Sequence, residues 1–255
     1  MTVISDAPER RAWMALGKAL PRPEAIMVVS AHWETQGASH VTVGEQPRTI
    51  HDFRGFPDEL YAIQYPAAGS PELVERVAEL LGEDRIKRDA TWGFDHGSWG
   101  VVQPMFPTAD IPMVQLSLDR TASPEEHLAR AAALAPLRDE GVLILASGAV
   151  THNFGWLTWG ENSKPVEAAQ AFAAWLGDAL ARDDRPALLD YRHQSAHGAA
   201  AHPSEEHLLP LFSALGAANP GEIPLRLEPE YTYGGLAMDA YLWQDASPAP
   251  FNLEQ

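Results

Sequence analysis

The sequence predicts an α/β protein, with a central, mostly parallel or mixed sheet covered by helices on both faces. Three continuous apolar runs, Ala25–Val29, Pro112–Leu116 and Val142–Ala146, lack the alternation of a half-exposed strand and read as strands buried on both sides. Between and after them lie helical stretches, two of which open on Ser-Pro-Glu. Strands alternating with helices give a layered sheet. The chain has 255 residues, 45% hydrophobic and 21% charged, which suits one globular domain with a large core.

Taken in order, the elements follow from local chemistry. Asp6 as a cap, Pro8 in the first turn, and Trp13, Leu16 and Leu20 at helical spacing predict a helix that Pro21 and Pro23 stop. The strand Ala25–Val29 then ends in Ser30-Ala31-His32-Trp33, which puts His32 at a carboxyl end. A long loop over 46–69 follows, holding His51-Asp52-Phe53-Arg54-Gly55-Phe56-Pro57 and two tyrosines; loops of that length in a compact domain are usually functional. Ser70-Pro71-Glu72 opens a helix to about Leu81. Trp92–Gly100, with three glycines, aromatics and His96, reads as a second loop and a pocket wall.

After the strand Pro112–Leu116, Ser123-Pro124-Glu125-Glu126 opens a helix to about Asp139. Val142–Ala146 ends in Ser147-Gly148, just before Thr151-His152-Asn153. Lys164–Arg182 is helical by its alanine and leucine content. Ser204-Glu205-Glu206 opens a shorter helix with His207 in its first turn and Leu208, Leu211, Phe212 and Leu215 facing a core. Ile223–Glu228 and Gly234–Trp243 read as closing strands, and 244–255 as a tail. No repeat or linker divides the chain, so residues 1–255 are expected to form a single domain.

Acids outnumber bases 35 to 18, a formal charge of −17, which disfavours nucleic acid and anionic lipid as partners. No 18-residue apolar stretch exists and the polar start lacks the pattern of a signal peptide, so a cytoplasmic protein is expected. With no cysteine, disulfides, thiolate metal sites and thiol nucleophiles are all excluded. A nucleophile elbow is missing, because Gly97-Ser98-Trp99-Gly100 has the wrong spacing, and so are the P-loop and dinucleotide fingerprints.

Ten histidines remain as the carriers of chemistry. His32 and His152 fall at strand carboxyl ends, where open α/β sheets bind ligands, and His51 and His96 lie in the two aromatic loops. His207 sits beside Glu205 and Glu206, either packed under acids that complement a helix dipole or ligating a metal. His193, His197 and His202 fall in a polar, alanine-rich loop and are read as surface residues, as are His40 and His127. An imidazole and carboxylate site suits zinc for hydrolysis or Fe(II) for dioxygen chemistry.

Five segments in this order, Ser30–Trp33, His51–Pro57, Gly93–Gly100, Ala146-Ser147-Gly148 with His152-Asn153, and Glu206–Leu211, together resemble the class III extradiol ring-cleaving dioxygenases, LigB-like in fold and closest to the 4,5-DOPA extradiol subgroup. The likeness runs from about Pro8 to Trp243. It implies a non-haem Fe(II) enzyme that opens a catechol ring beside its hydroxyls with O2, with zinc as a substitute in purified material. It also implies His32 and His207 as metal ligands, with Glu206 ranked behind them, and His152 as the acid/base residue. His96 would meet the substrate hydroxyl, and His51, Phe53, Phe56, Trp92 and Trp99 would wall the ring. Arg54 or Lys164 would take a substrate carboxylate.

The family's first strand, whose Gly-His-Gly-Ser-Pro type turn carries another metal histidine, has no counterpart before Pro8; the expectation is a reading frame that extends upstream. A zinc hydrolase and a catalytically impaired aromatic-binding relative stand as alternatives, and the oligomeric state is left open.

Overall fold

The computed structural model describes residues 2–160, 163–227 and 231–244, so most of the expected tail and the end of the strand expected at Glu228 lie outside the described residues. In chain order the elements are a 3-10 turn Thr2–Ile4, α1 (Pro8–Ala19), β1 (Ala25–Thr35), β2 (Ser39–Thr42), α2 (Asp58–Tyr61), α3 (Pro71–Leu81), β3 (Ile86–Asp89) and α4 (His96–Met105). Then come β4 (Met113–Asp119), α5 (Pro124–Ala133), α6 (Pro136–Asp139), β5 (Val142–Ser147) and a 3-10 turn Phe154–Trp156. The rest are α7 (Glu167–Ala181), α8 (Arg185–Leu189), α9 (Tyr191–Gln194), α10 (Gly198–Ala201), α11 (Leu209–Ala217), β6 (Leu225–Leu227), β7 (Tyr231–Thr232), β8 (Leu236–Ala237) and β9 (Ala240–Leu242). Among the described residues no helix is long and apolar enough to cross a membrane. The chain groups into two compact units, one running to Gly148 and including Leu209–Ala217, the other made of Ala149–Leu208 and the residues from Ala218 on.

The first unit is a five-stranded sheet in the order β3-β2-β4-β1-β5. β1 runs parallel to β4 and β5, and β2 is antiparallel to β4, so the sheet is mixed, as the sequence predicts. Ile26 and Val28 point to one face and join Trp99, Val102 and Met105 of α4 in a core that Trp13 and Leu16 of α1 help cover. Each fully buried aliphatic side chain there contributes about 1.5–3 kcal/mol. Gly17 makes this layer possible, because a Cβ on it would stand 2.2 Å from the Met105 carbonyl oxygen. Met27 and Val29 point the other way, toward residues of α3, α5 and α11 around a cavity of about 20 Å³, room for one water.

Several elements depart from expectation. β1 does not stop at Val29: its pairing with β4 lapses there and resumes at Glu34 opposite Leu118, so Ser30, Ala31, His32 and Trp33 form an irregularity inside a longer strand. Such bulges re-aim side chains beside sites. Val142–Ser147 is half-buried rather than buried, since β5 is an edge of the sheet. β2 and β3 are four residues each, and the exposed Lys87 and Arg88 of the edge strand β3 hide it from an apolar pattern. Asp6 does not cap α1; it pairs with Arg11 at 2.9 Å. Ser70 does cap α3, and Ser123 with Glu126 forms a capping box on α5. The helix expected to reach Asp139 breaks near Ala135, ahead of Pro136.

The largest correction is α4. Its Gly97 and Gly100 fall in the stretch read as loop, yet Asp95 caps it by accepting from the Ser98 N–H at 3.1 Å.

In the second unit, α7 buries Phe172, Ala173 and Leu176, and the three short helices α8 to α10 occupy what the sequence reads as a polar loop. The closing strands are shorter than expected: β6 pairs antiparallel with β9, and β7 with β8. Arg226 ties this end together, donating to Asp239 at 2.6 Å and to the Ala173 carbonyl at 3.2 Å.

Candidate active site

Among the described residues, each unit holds one cluster of ligating side chains. In the first, the irregularity of β1 presents His32, the start of α4 presents His96, and the long loop supplies Asp52. His32 Nδ1 lies 3.2 Å from Asp52 Oδ2, and His96 Nδ1 lies 2.8 Å from Asp52 Oδ1. The backbone N–H of His96 donates to the same Oδ1 at 2.9 Å, satisfying a free donor at the start of α4. The two imidazole rings are 4.0 Å apart, tilted by 55°. Burial works to raise the Asp52 carboxyl, but the hydrogen bonds from His32 and His96 outweigh it and hold it well below the usual carboxylate range.

Beneath this pair lies a buried polar network. Asp95 accepts from the Ser30 hydroxyl at 2.8 Å and from the Gln115 amide, and the Ser98 hydroxyl donates to Gln115 Oε1 at 2.8 Å. Burial pushes the Asp95 carboxyl up, against hydrogen bonds from Gln115 and Ser30 that pull it down. Gly97 is required at the junction: a Cβ there would stand 2.4 Å from Ser30 Oγ and 3.0 Å from His32 Cδ2. Gly97→Ala is expected to cost about 1–3 kcal/mol in urea unfolding, as over-packing does. Wild-type stability in that variant would count against a rigid junction.

Aromatic side chains wall the cluster. Phe53 stands edge-on to His96 at 5.3 Å, with Phe56 against it at 5.4 Å and Tyr61 at 5.0 Å. His51 is tethered, its Nε2 2.9 Å from the Ile63 carbonyl oxygen, with its ring 5.8 Å from Phe53. Trp99 is buried in the core, 1% exposed, and donates its indole N–H to the Ile50 carbonyl behind that wall. Trp92 stacks on Trp33 at 5.3 Å instead of joining Phe53. Arg54 is exposed in the same loop.

In the second unit, His152 follows β5 and is anchored by its backbone N–H to the Ala201 carbonyl at 2.9 Å. Its ring stacks on His207, centroids 3.3 Å apart and 11° from parallel, while Phe154 meets it edge-on at 4.8 Å. Glu206 serves both: its Oε1 is 2.9 Å from His207 Nδ1 and 4.0 Å from His152 Nδ1. The His207 hydrogen bond, opposed by burial, lowers the Glu206 carboxyl to about 2. His207 lies in a turn two residues ahead of α11, not in the first turn of a helix. Lys164 is exposed.

The sequence reading missed Asp52, Asp95 and Gln115, and the only signal for the first was its place beside His51 in the long loop. It also misplaced two histidines. His127 is buried, its Nε2 3.2 Å from the Asp119 carbonyl oxygen. His202 is fully buried, its Nε2 2.8 Å from the Val150 carbonyl oxygen. His193, paired with Asp190 at 2.6 Å, is at the surface as expected.

Either cluster, His32-Asp52-His96 or His152-Glu206-His207, groups ligand atoms within 4.8 Å of one another. Imidazole and carboxylate donors without thiolate suit Fe(II) or Zn(II).

Comparison with known proteins follows the same line. A family model described as the catalytic LigB subunit of aromatic ring-opening dioxygenase matches residues 10–239. The chain is 44% identical over 243 residues to the 4,5-DOPA dioxygenase extradiol of Escherichia coli K12, covering 93% of this chain and 89% of that one. It is 43% identical over 201 residues to the protein of the same name in Beta vulgaris, covering 77% and 74%. A crystal structure of an uncharacterised E. coli K12 protein superposes with a TM-score of 0.77 at 39% identity, over 90% of each chain.

Proposed function

The chain belongs to the LigB family of aromatic ring-opening dioxygenases and is an extradiol dioxygenase, and from that premise we propose that it cleaves a DOPA-like catechol with O2 at a non-haem Fe(II) centre. The observation that carries the reading is the His32-Asp52-His96 cluster, a set of nitrogen and oxygen donors with the aromatic ring of Phe53 standing against it. Fe(II), when bound, supplies a shared electron path between a catechol and dioxygen. The protein's own groups do the rest.

In this reading His32 and His207 are metal ligands, with Glu206 hydrogen-bonded to His207 and orienting its ring. His96 takes a hydrogen bond from a substrate hydroxyl. His152 holds and returns the catechol proton, the task imidazole suits near neutral pH. Phe53 and Phe56 offer ring faces and edges to the substrate, and His51 and Trp99 stiffen that wall from behind. Residues 1–255 act as one catalytic domain on a small aromatic molecule.

The test is anaerobic loading with Fe(II), then L-DOPA and air, followed by absorbance. A yellow ring-opened semialdehyde is the expected product. No catechol consumption, together with zinc-dependent release of product from an ester or amide panel, would overturn the reading in favour of a hydrolase.

A further inference from the structure

We propose that Asp52 is a positioning residue that fixes the tautomer of two histidines at once, keeping Nδ1 of both His32 and His96 protonated and Nε2 the unprotonated nitrogen of each ring. The inference rests on the reading above, in which His32 takes the metal and His96 the substrate oxygen. It starts from the division of labour on one carboxylate. Oδ2 faces His32 Nδ1 at 3.2 Å, and Oδ1 faces His96 Nδ1 at 2.8 Å.

A backbone N–H can only donate, so the His96 N–H at 2.9 Å already marks Oδ1 as an acceptor. An ionised carboxylate accepts through both oxygens, so each imidazole nitrogen facing it is the N–H of its ring. A neutral imidazole carries one proton, and Nε2 is left without it. That is the form a metal ligand needs and the form that accepts a hydrogen bond from a hydroxyl. These separations are hydrogen-bond lengths. The arrangement thus uses Asp52 to orient ligands, and the tilted approach of the two rings at 4.0 Å follows from their sharing it.

The sharing also makes the two histidines separable. In Asp52→Asn the side chain keeps one acceptor oxygen. Two donors from His96 hold that oxygen on the Oδ1 side, which turns the new NH2 group toward His32 Nδ1. His32 must then accept there, carry its proton on Nε2, and lose its lone pair for metal, while His96 is unchanged. Asp52→Ala frees both rings.

Long-range nitrogen–proton correlation spectra of metal-free, 15N-histidine-labelled protein read the tautomers directly. The wild type is expected to show Nδ1–H at both His32 and His96, Asp52→Asn to switch His32 alone, and Asp52→Ala to release both. Zn(II) affinity, by competition with a chromophoric chelator, is expected to fall about 10–100-fold in Asp52→Asn. An Nε2–H tautomer at either histidine of the wild type, or an Asp52→Asn variant with unchanged His32 and unchanged Zn(II) affinity, overturns the proposal. Should Asp52→Ala fail to fold, the wild-type spectrum and the isosteric Asp52→Asn decide the question alone. Tautomers as expected in a protein that leaves catechols intact would sink the proposed reaction and spare the role of Asp52; ring cleavage by a protein with the opposite tautomers would do the reverse.

Discussion

Replacing His152 by alanine is expected to lower turnover of an iron-loaded enzyme about 10²–10⁴-fold while leaving its metal content close to wild type, the signature of a lost general acid/base. The geometry gives His152 the means to do this work. Its backbone is pinned to Ala201, its ring is held between the face of His207 and the edge of Phe154, and only 17% of its side chain is exposed. Glu206 stands beside it, bonding His207 at 2.9 Å and lying 4.0 Å from His152 Nδ1. Single-turnover kinetics with iron measured by elemental analysis separates the outcomes. Loss of iron with an unchanged rate per bound iron would make His152 a ligand instead.

How much of this was legible in the sequence depends on which force set each feature. The buried strands could be read because burial on both faces leaves an apolar run, as in Ile26–Val29, all of them at most 1% exposed. The irregularity that follows could not, because Ser30 to Trp33 are shaped by what β4 stops pairing with, a non-local fact. α4 was hidden for a related reason: Gly97 lowers helix propensity but is demanded by Ser30 and His32, residues far away in sequence. Histidines were found because few other side chains do their chemistry, whereas Asp52 is one acid among many until two imidazoles are seen to share it. His202 was misread for want of any apolar pattern around it; its ring is enclosed by Phe172 of α7 at 5.6 Å and by Tyr191 at 6.0 Å, the latter on the short helix α9 inside the segment read as loop.

That enclosure has a measurable consequence for stability against pH. Burial lowers the His202 imidazole from its ordinary value of 6.5 to about 4, and the hydrogen bond to the Val150 carbonyl only partly offsets it. The folded chain therefore keeps His202 neutral where the unfolded chain binds a proton. A depressed histidine contributes stability in full above about pH 6.5, and that contribution is lost as pH falls through about 4. At 1.36 kcal/mol per pH unit the loss is about 3 kcal/mol. Glu206 acts in a lower window, because its carboxyl, held at about 2, loses its contribution only as pH falls below about 4.5. His127, also lowered by burial, works in the same direction as His202, so the histidine must be isolated by substitution. His202→Gln does this: its amide N–H can still reach the Val150 carbonyl, and it has no proton to gain. Urea unfolding of both proteins from about pH 7 to about pH 4 is expected to show the variant losing about 3 kcal/mol less than wild type across that window. Parallel curves for the two proteins would mean that His202 gains its proton as easily in the folded chain as in the unfolded one.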